Sequence, residues 1–123
     1  KPGAWLVVSV PNAASLEFRF FKEKWYALHV PNHLHHFTPD TLGRVLQAGG
    51  WTLEKVWHQH VLHNLIGSLG FVLRHRGYAR IGQSLIEFPE RGGRWSYALF
   101  PLAWLLGVWG QTGRMTVWAR VSP

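Results

Sequence analysis

Four histidines stand within eight positions of the segment HVPNHLHHFTP, at residues 29–39. Imidazole groups at this density are candidates for binding a metal ion or for moving a proton. A zinc site needs three or four ligands that converge on one point. Neither the spacing HxHH nor the second histidine group at His58, His60 and His63 matches a zinc motif, and no carboxylate cluster accompanies them. We therefore predict no metal site.

Within this segment, His33 and His36 are the candidate catalytic residues. In one interpretation they pack beneath the helix that follows and bond to the backbone. In the other, one of them faces a ligand crevice, where a neutral imidazole orients a substrate or accepts its proton. The residues alone leave both interpretations open.

The histidine segment ends in the pattern of a helix start. Thr38 is a good N-cap, since its hydroxyl oxygen accepts a bond from an unpaired amide, and Pro39 suits the first helical position. Apolar residues then recur at helical spacing, and Gly49 with Gly50 predicts the helix end. The next residues, WTLEKVWHQ at 51–59, predict a strand.

Two further segments predict strands of different kinds. The continuous apolar run AWLVVSV at 4–10 favours a central, mostly parallel strand that is covered on both faces. The segment MTVWARV at 115–121 alternates strictly between two faces, which predicts a half-exposed, antiparallel strand. We therefore predict an α/β fold with a small mixed sheet, flanked by helices, in which strands 4–10 and 51–58 are parallel and strand 114–121 is antiparallel.

Composition narrows the classes of partner. The chain has 123 residues with 47% hydrophobic residues and a formal net charge of +7, which suits an anionic partner such as nucleic acid, acidic lipid or phosphate. Its basic residues are scattered singly, which argues against nucleic acid. Cysteine is absent, so disulfides, thiolate zinc sites and cysteine nucleophiles are excluded.

The most apolar segment is WSYALFPLAWLLGVWG, at residues 95–110. It is shorter than the roughly 20 residues that a membrane-spanning helix needs, and Pro101 interrupts it. We interpret it as a buried or interfacial helix, with contact to a membrane surface through residues 95–109 as the second alternative.

The order of these segments resembles the C-terminal half of class I S-adenosylmethionine-dependent methyltransferases, in particular the small-molecule group related to ubiquinone biosynthesis and to the methyltransferase type 11, 12 and 23 domains. Departures from the family pattern are Ala4 in place of a second glycine, Asn32 where arginine is common, and Trp51 in place of phenylalanine. Residues 61–112 do not take part in the resemblance. The matching motifs are KPGA at 1–4, PN at 11–12, HLHHFT at 33–38, AGGW at 48–51 and the last strand, GRMTVWARV at 113–121.

The resemblance implies that residues 1–123 are the C-terminal, substrate-side portion of a methyltransferase domain, with 61–112 as a helical insertion between the last two strands. It places the final strand antiparallel between the other two. It also implies that the family's glycine-rich loop and acidic residue, which hold S-adenosylmethionine, lie before Lys1, and no GxGxxG occurs in the chain. We expect this piece alone to be inactive and not to bind S-adenosylmethionine.

By the same resemblance the substrate is a small molecule, and the expected location is the cytoplasm or the periphery of a membrane. Asn12 is expected at the rim of the crevice, and Trp25, Tyr26 and Phe37 as walls of a substrate pocket. We expect the missing N-terminal half, or a second copy of the chain, to cover the free edge of strand 4–10. The competing hypothesis is a non-enzymatic module for membrane-surface or protein interaction.

Overall fold

A computed structural model describes residues 3–29, 32–91 and 93–121. Its order along the chain is strand, two helices, strand, three helices and strand, with short 3₁₀ turns between them. The elements are β1 (Trp5–Pro11), α1 (Leu16–Phe21), α2 (Pro39–Ala48), β2 (Trp51–His58), α3 (His63–His75), α4 (Ala79–Arg91), α5 (Phe100–Val108) and β3 (Arg114–Val121), and the 3₁₀ turns are Lys22–Lys24, Tyr26–Leu28 and Gly93–Leu99.

The three strands form one sheet in the order β1-β3-β2. The prediction that the last strand lies antiparallel between the other two is confirmed, since β3 pairs antiparallel with both β1 and β2. The predicted parallel part of the sheet is wrong. β1 and β2 run in the same direction, but β3 separates them, so the described sheet contains only antiparallel pairs.

The exposure of β1 and β3 is the reverse of the sequence prediction. β1 is an edge strand, where Trp5 and Val7 are each 55% exposed, so the prediction of a central strand covered on both faces is wrong. β3 is the central strand, and Met115 and Val117 are completely buried. An apolar run shows that a strand can be buried but not which strands pair beside it. No described strand pairs with the free edge of β1, so its covering by another chain stays a prediction.

Helix α2 covers one face of the sheet. Its start is as predicted, because the Thr38 hydroxyl accepts a hydrogen bond from the Thr41 amide at 3.1 Å and Pro39 opens the helix. Leu42 and Leu46 point to the sheet and form the core with apolar residues of β3. The N-cap and the apolar stripe together hold residues 33–37, just before α2, close to the end of β1, where Asn12 and Phe37 form an isolated parallel bridge.

Helices α3, α4 and α5 lie between β2 and β3 in the chain. α3 and α4 pack closely as a hairpin, because glycines meet where the two helices cross. A Cβ on Gly70 would lie 2.7 Å from the Gly82 carbonyl oxygen, and one on Gly82 would lie 2.6 Å from the Arg74 nitrogen. The glycines that weaken the helix prediction by propensity thus permit the contact between the helices. None of the helices in the described ranges is both long and apolar enough to cross a bilayer.

Candidate functional site

A cavity of about 170 Å³ opens at the carboxyl end of β1. The sheet supplies two of its walls, since Pro11 at the end of β1 pairs in register with Arg114 at the start of β3. The remaining walls come from the segment after α1 and from helices α3 and α4. Its lining residues are Pro11, Tyr26, Ala27, His29, His33, Asn64, Glu90 and Arg114. In α/β proteins the carboxyl ends of strands are the usual place for ligands, so we take this cavity as the candidate site.

His33 is the predicted catalytic residue that lines the cavity. Its Nδ1 lies 3.1 Å from the Ala27 carbonyl oxygen. A carbonyl can only accept, so Nδ1 carries the hydrogen. In the neutral ring Nε2 is then the basic nitrogen. His33 therefore has both the backbone bond of one interpretation and the position on a crevice of the other.

His36 does not line the cavity. Its Nε2 donates to the Leu28 carbonyl oxygen at 3.0 Å, and its ring lies 6.2 Å from the Trp25 ring. These contacts fit the interpretation in which the imidazole packs and bonds to the backbone. A catalytic role for His36 is therefore not supported by its position.

Tyr26, predicted as a pocket wall, lines the cavity. Its ring stacks on Phe71 with 5.9 Å between the centroids, and its backbone N–H donates to the Ser68 hydroxyl at 2.8 Å. Burial, together with the negative charge of Glu90, raises the pKa of the phenol above its ordinary value of 10.0. The hydroxyl therefore remains protonated at neutral pH and can donate a hydrogen bond to a ligand.

Six of the eight lining residues are absent from the sequence-based set, and three of these six, His29, Glu90 and Arg114, have ionisable side chains. His29 has a left-handed backbone with φ 41°, and its ring lies 5.5 Å from that of His33. Glu90 and Arg114 bring opposite charges to the cavity from different elements. Glu90 and Arg114 form no ion pair with a described residue. The ion pairs among the described residues are Arg44–Asp40 and Arg91–Glu87. Only the return of α4 towards β3 brings Glu90 here, and no local pattern signals that.

Trp25 and Phe37, also predicted as pocket walls, are not among the lining residues. Trp25 is 1% exposed and packs between the rings of Phe18 and His36. Phe37 packs against the core beneath α2. Their aromatic area stabilises the chain around the cavity rather than contacting a ligand in it.

Asn12, predicted at the crevice rim, is completely buried. Its Nδ2 donates to the carbonyl oxygens of Gly110 and Thr112 at 3.1 and 3.2 Å, and the His58 Nδ1 lies 3.4 Å from the same nitrogen. Its Oδ1 accepts from the Ala14 amide at 3.0 Å. Both ends of the carboxamide are therefore satisfied inside the protein, and the side chain joins the turn after β1 to the residues before β3.

Glu17 lies in the same buried region and is missed by the sequence analysis. Its Oε1 accepts from the Gly113 amide at 3.0 Å. Neither its Oε2 nor the Trp25 Nε1 makes a hydrogen bond of standard geometry with the described residues, although the indole is near enough to lower the pKa of the carboxyl slightly. Burial outweighs both contacts and raises the pKa of Glu17 to about 7. Asn64 links this region to the cavity, because it donates to the Gly113 carbonyl oxygen at 3.2 Å.

Two kinds of bound group can be compared with the residues present: a metal ion and S-adenosylmethionine. In the described ranges, no three histidine, aspartate or glutamate side chains converge as a metal site. S-adenosylmethionine does not fit either, because the cavity is smaller than the roughly 300 Å³ at which pockets for ligands of that size begin. The amides after β1 are also occupied: those of Asn12, Ala13, Ala14 and Ser15 all donate within the chain. These residues therefore offer no cradle for a methyl donor.

Comparisons with protein-family models, with curated proteins and with solved structures find no significant match to this chain.

Proposed function

We propose that this chain forms the substrate side of an S-adenosylmethionine-dependent methyltransferase that acts on a small molecule. The observation that carries the proposal is the sheet, in which β3 lies antiparallel between β1 and β2, together with a cavity at the carboxyl end of β1. The methyl donor is held elsewhere in this proposal, because neither the cavity nor the amides after β1 fit it. The cavity would bind the part of the substrate that becomes methylated.

The lining residues have separate roles in this proposal. His33, fixed by its bond to Ala27, presents Nε2 to take the proton that a substrate oxygen or nitrogen loses when it is methylated. Tyr26 donates a hydrogen bond from its protonated phenol. Arg114 and Glu90, which form no ion pair with a described residue, bind polar groups of opposite charge on the substrate and so fix its orientation.

The first test measures where the donor binds. Calorimetric titration of the 123 residues with S-adenosylmethionine is expected to give no binding, whereas photo-crosslinking of labelled donor to the full-length gene product is expected to give labelled protein. Micromolar binding to the 123 residues alone would refute the separation of donor and substrate sides. A full-length product that neither crosslinks the donor nor transfers its methyl group to a panel of phenols, amines and carboxylic acids would refute the methyltransferase proposal.

The second test measures the roles of the lining residues in the full-length product. His33→Ala is expected to lower kcat about 100-fold or more, as for loss of a general base. Arg114→Gln is expected to raise KM about tenfold or more, through loss of a charged hydrogen bond. The matched controls are His35→Ala and Arg120→Gln, which change exposed residues outside the cavity. Equal losses in variants and controls would show that the cavity is not the substrate site.

A further inference from the structure

Helix α5 and the turn before it expose a continuous apolar surface, which we name the aromatic face. Trp104 is 51% exposed and Trp109 is 65% exposed. The residues of the aromatic face are Tyr97, Phe100, Leu102, Trp104, Leu105, Val108 and Trp109, all of them exposed. Clusters of exposed apolar side chains of this kind mark interaction sites.

The inner side of α5 is held in a fixed orientation, which leaves the aromatic face outward. Ala103 and Gly107 are the buried residues of this helix. A Cβ on Gly107 would lie 2.0 Å from the His60 ring, so the helix backbone rests directly against that imidazole. Small residues thus face the protein while large apolar ones face away from it. This arrangement is opposite to that of a helix that packs its apolar stripe on its own core.

The apolar surface continues beyond the helix to β2. The His60 ring lies between Trp57 and Phe100, with centroid distances of 5.9 and 6.2 Å. A groove of about 380 Å³ runs along this stack and is lined also by Leu62 and Tyr97. The aromatic face is therefore part of a broader apolar surface with a cleft in it.

The charges around the aromatic face indicate what covers it. Residues 95–109 contain no charged residue, and the nearest ones along the chain on either side are Arg94 and Arg114, both exposed. The whole chain has 13 Lys and Arg against 6 Asp and Glu, with a net charge of +7. Two copies of the chain would repel each other, whereas an acidic lipid surface would attract the chain.

We propose that the aromatic face binds in the plane of an anionic lipid bilayer. Tryptophan and tyrosine suit the boundary between headgroups and acyl chains, and the exposed Arg94 just before this segment suits acidic headgroups. The nine residues of α5 extend only about 14 Å, at 1.5 Å per residue, so the helix lies along the surface rather than across it. This inference does not depend on the proposed methyltransferase function.

The test uses flotation of the 123-residue chain with vesicles of phosphatidylcholine, with and without phosphatidylserine. Binding is expected only with phosphatidylserine and is expected to fall as salt is added. Trp104→Ser with Trp109→Ser is expected to weaken binding about tenfold or more, and Arg94→Gln about fivefold. The matched control is Trp5→Ser, which changes a tryptophan of similar exposure on β1 and is expected to leave binding unchanged.

A second measurement on the unchanged chain covers the case in which a variant fails to fold. Brominated acyl chains in phosphatidylserine vesicles are expected to quench the tryptophan fluorescence of the unchanged chain. Absence of binding to phosphatidylserine vesicles, or binding that the double variant retains in full, would overturn the proposal. A dimer in sedimentation that the double variant abolishes would also overturn it, in favour of a second copy as the occupant.

Discussion

The segment after β1 and helix α5 differ in which side chains they bury. The first buries polar side chains, and the second exposes large apolar ones. Asn12, just after β1, and Glu17, in the first turn of α1, are buried and bonded to the backbone of distant residues. On α5, Trp104 and Trp109 face outward. A polar side chain can be buried when the chain supplies its partners, and an apolar one can remain outside when the helix docks through small residues. The type of side chain alone therefore does not tell which region binds a partner.

The largest effect is expected from comparing Trp25, a buried tryptophan beside Glu17, with Trp109, an exposed tryptophan at the end of α5. Trp25→Ala is expected to lower the free energy of unfolding by about 3–5 kcal/mol, because it leaves a cavity in the core. Trp109→Ala is expected to change it by about 0.5 kcal/mol or less, since the side chain is mostly in water. Urea unfolding followed by circular dichroism measures both values. Similar losses for the two variants would show that α5 packs against the protein through its aromatic face.

A somewhat smaller effect is expected from Asn12. Asn12→Ala leaves the Gly110 and Thr112 carbonyl oxygens without this donor and is expected to cost about 2–4 kcal/mol. Asn12→Asp keeps the acceptor for Ala14 but places a carboxylate against those carbonyls, so its loss is expected to be at least as large. Asn32→Ala, at an exposed position, serves as the control. An aspartate variant as stable as the native chain would contradict the donor role of the amide.

Because Glu17 is buried, we expect the free energy of unfolding to depend on pH, by up to about 3 kcal/mol. The pKa of its carboxyl rises from 4.5 to about 7 on folding, so the folded state binds this proton more tightly than the unfolded state does. Its contribution to stability is therefore full below about pH 4.5, falls as the pH rises to about 7 and is lost above that.

The measurement is urea unfolding between pH 4 and 8 for the native chain and for Glu17→Gln, whose amide does not titrate. As the pH rises, the free energy of unfolding of the native chain is expected to fall relative to that of the Gln variant. Taking the difference between the two chains cancels the titration of the other groups. Glu54→Gln, at an exposed position, is the control. A difference that stays constant over this pH range would mean that burial does not raise the pKa of Glu17.

Local patterns in the sequence are enough for the elements whose signals are themselves local. The Thr38 hydroxyl caps α2 as predicted, and the alternation of residues 115–121 places Met115 and Val117 on the buried face. The order of strands follows from the resemblance and is confirmed. What fails is the environment of β1 and of β3, because burial of a strand depends on the strands that pair with it, and those are distant in the sequence.

The candidate site divides in the same way. His33 and Tyr26 lie close to each other in the chain and both line the cavity, as one interpretation of the histidine segment predicts for His33 and as the resemblance implies for Tyr26. Glu90 and Arg114 come to it through the packing of α3 on α4 and the register of β1 with β3. The partners of Asn12 are about 100 residues away along the chain, at Gly110 and Thr112. The spacing of residues along the sequence does not predict contacts between residues so far apart.

The side-chain amide of Asn12 also holds together the two ends of the helical segment that connects β2 to β3. His58, at the end of β2, and Gly110, just before β3, both meet the same nitrogen, so the two junctions of this segment lie side by side. Segments whose ends already converge can be exchanged at little cost in chain entropy. We therefore expect a change in the length of the segment between these two junctions to leave the register of the three strands in place.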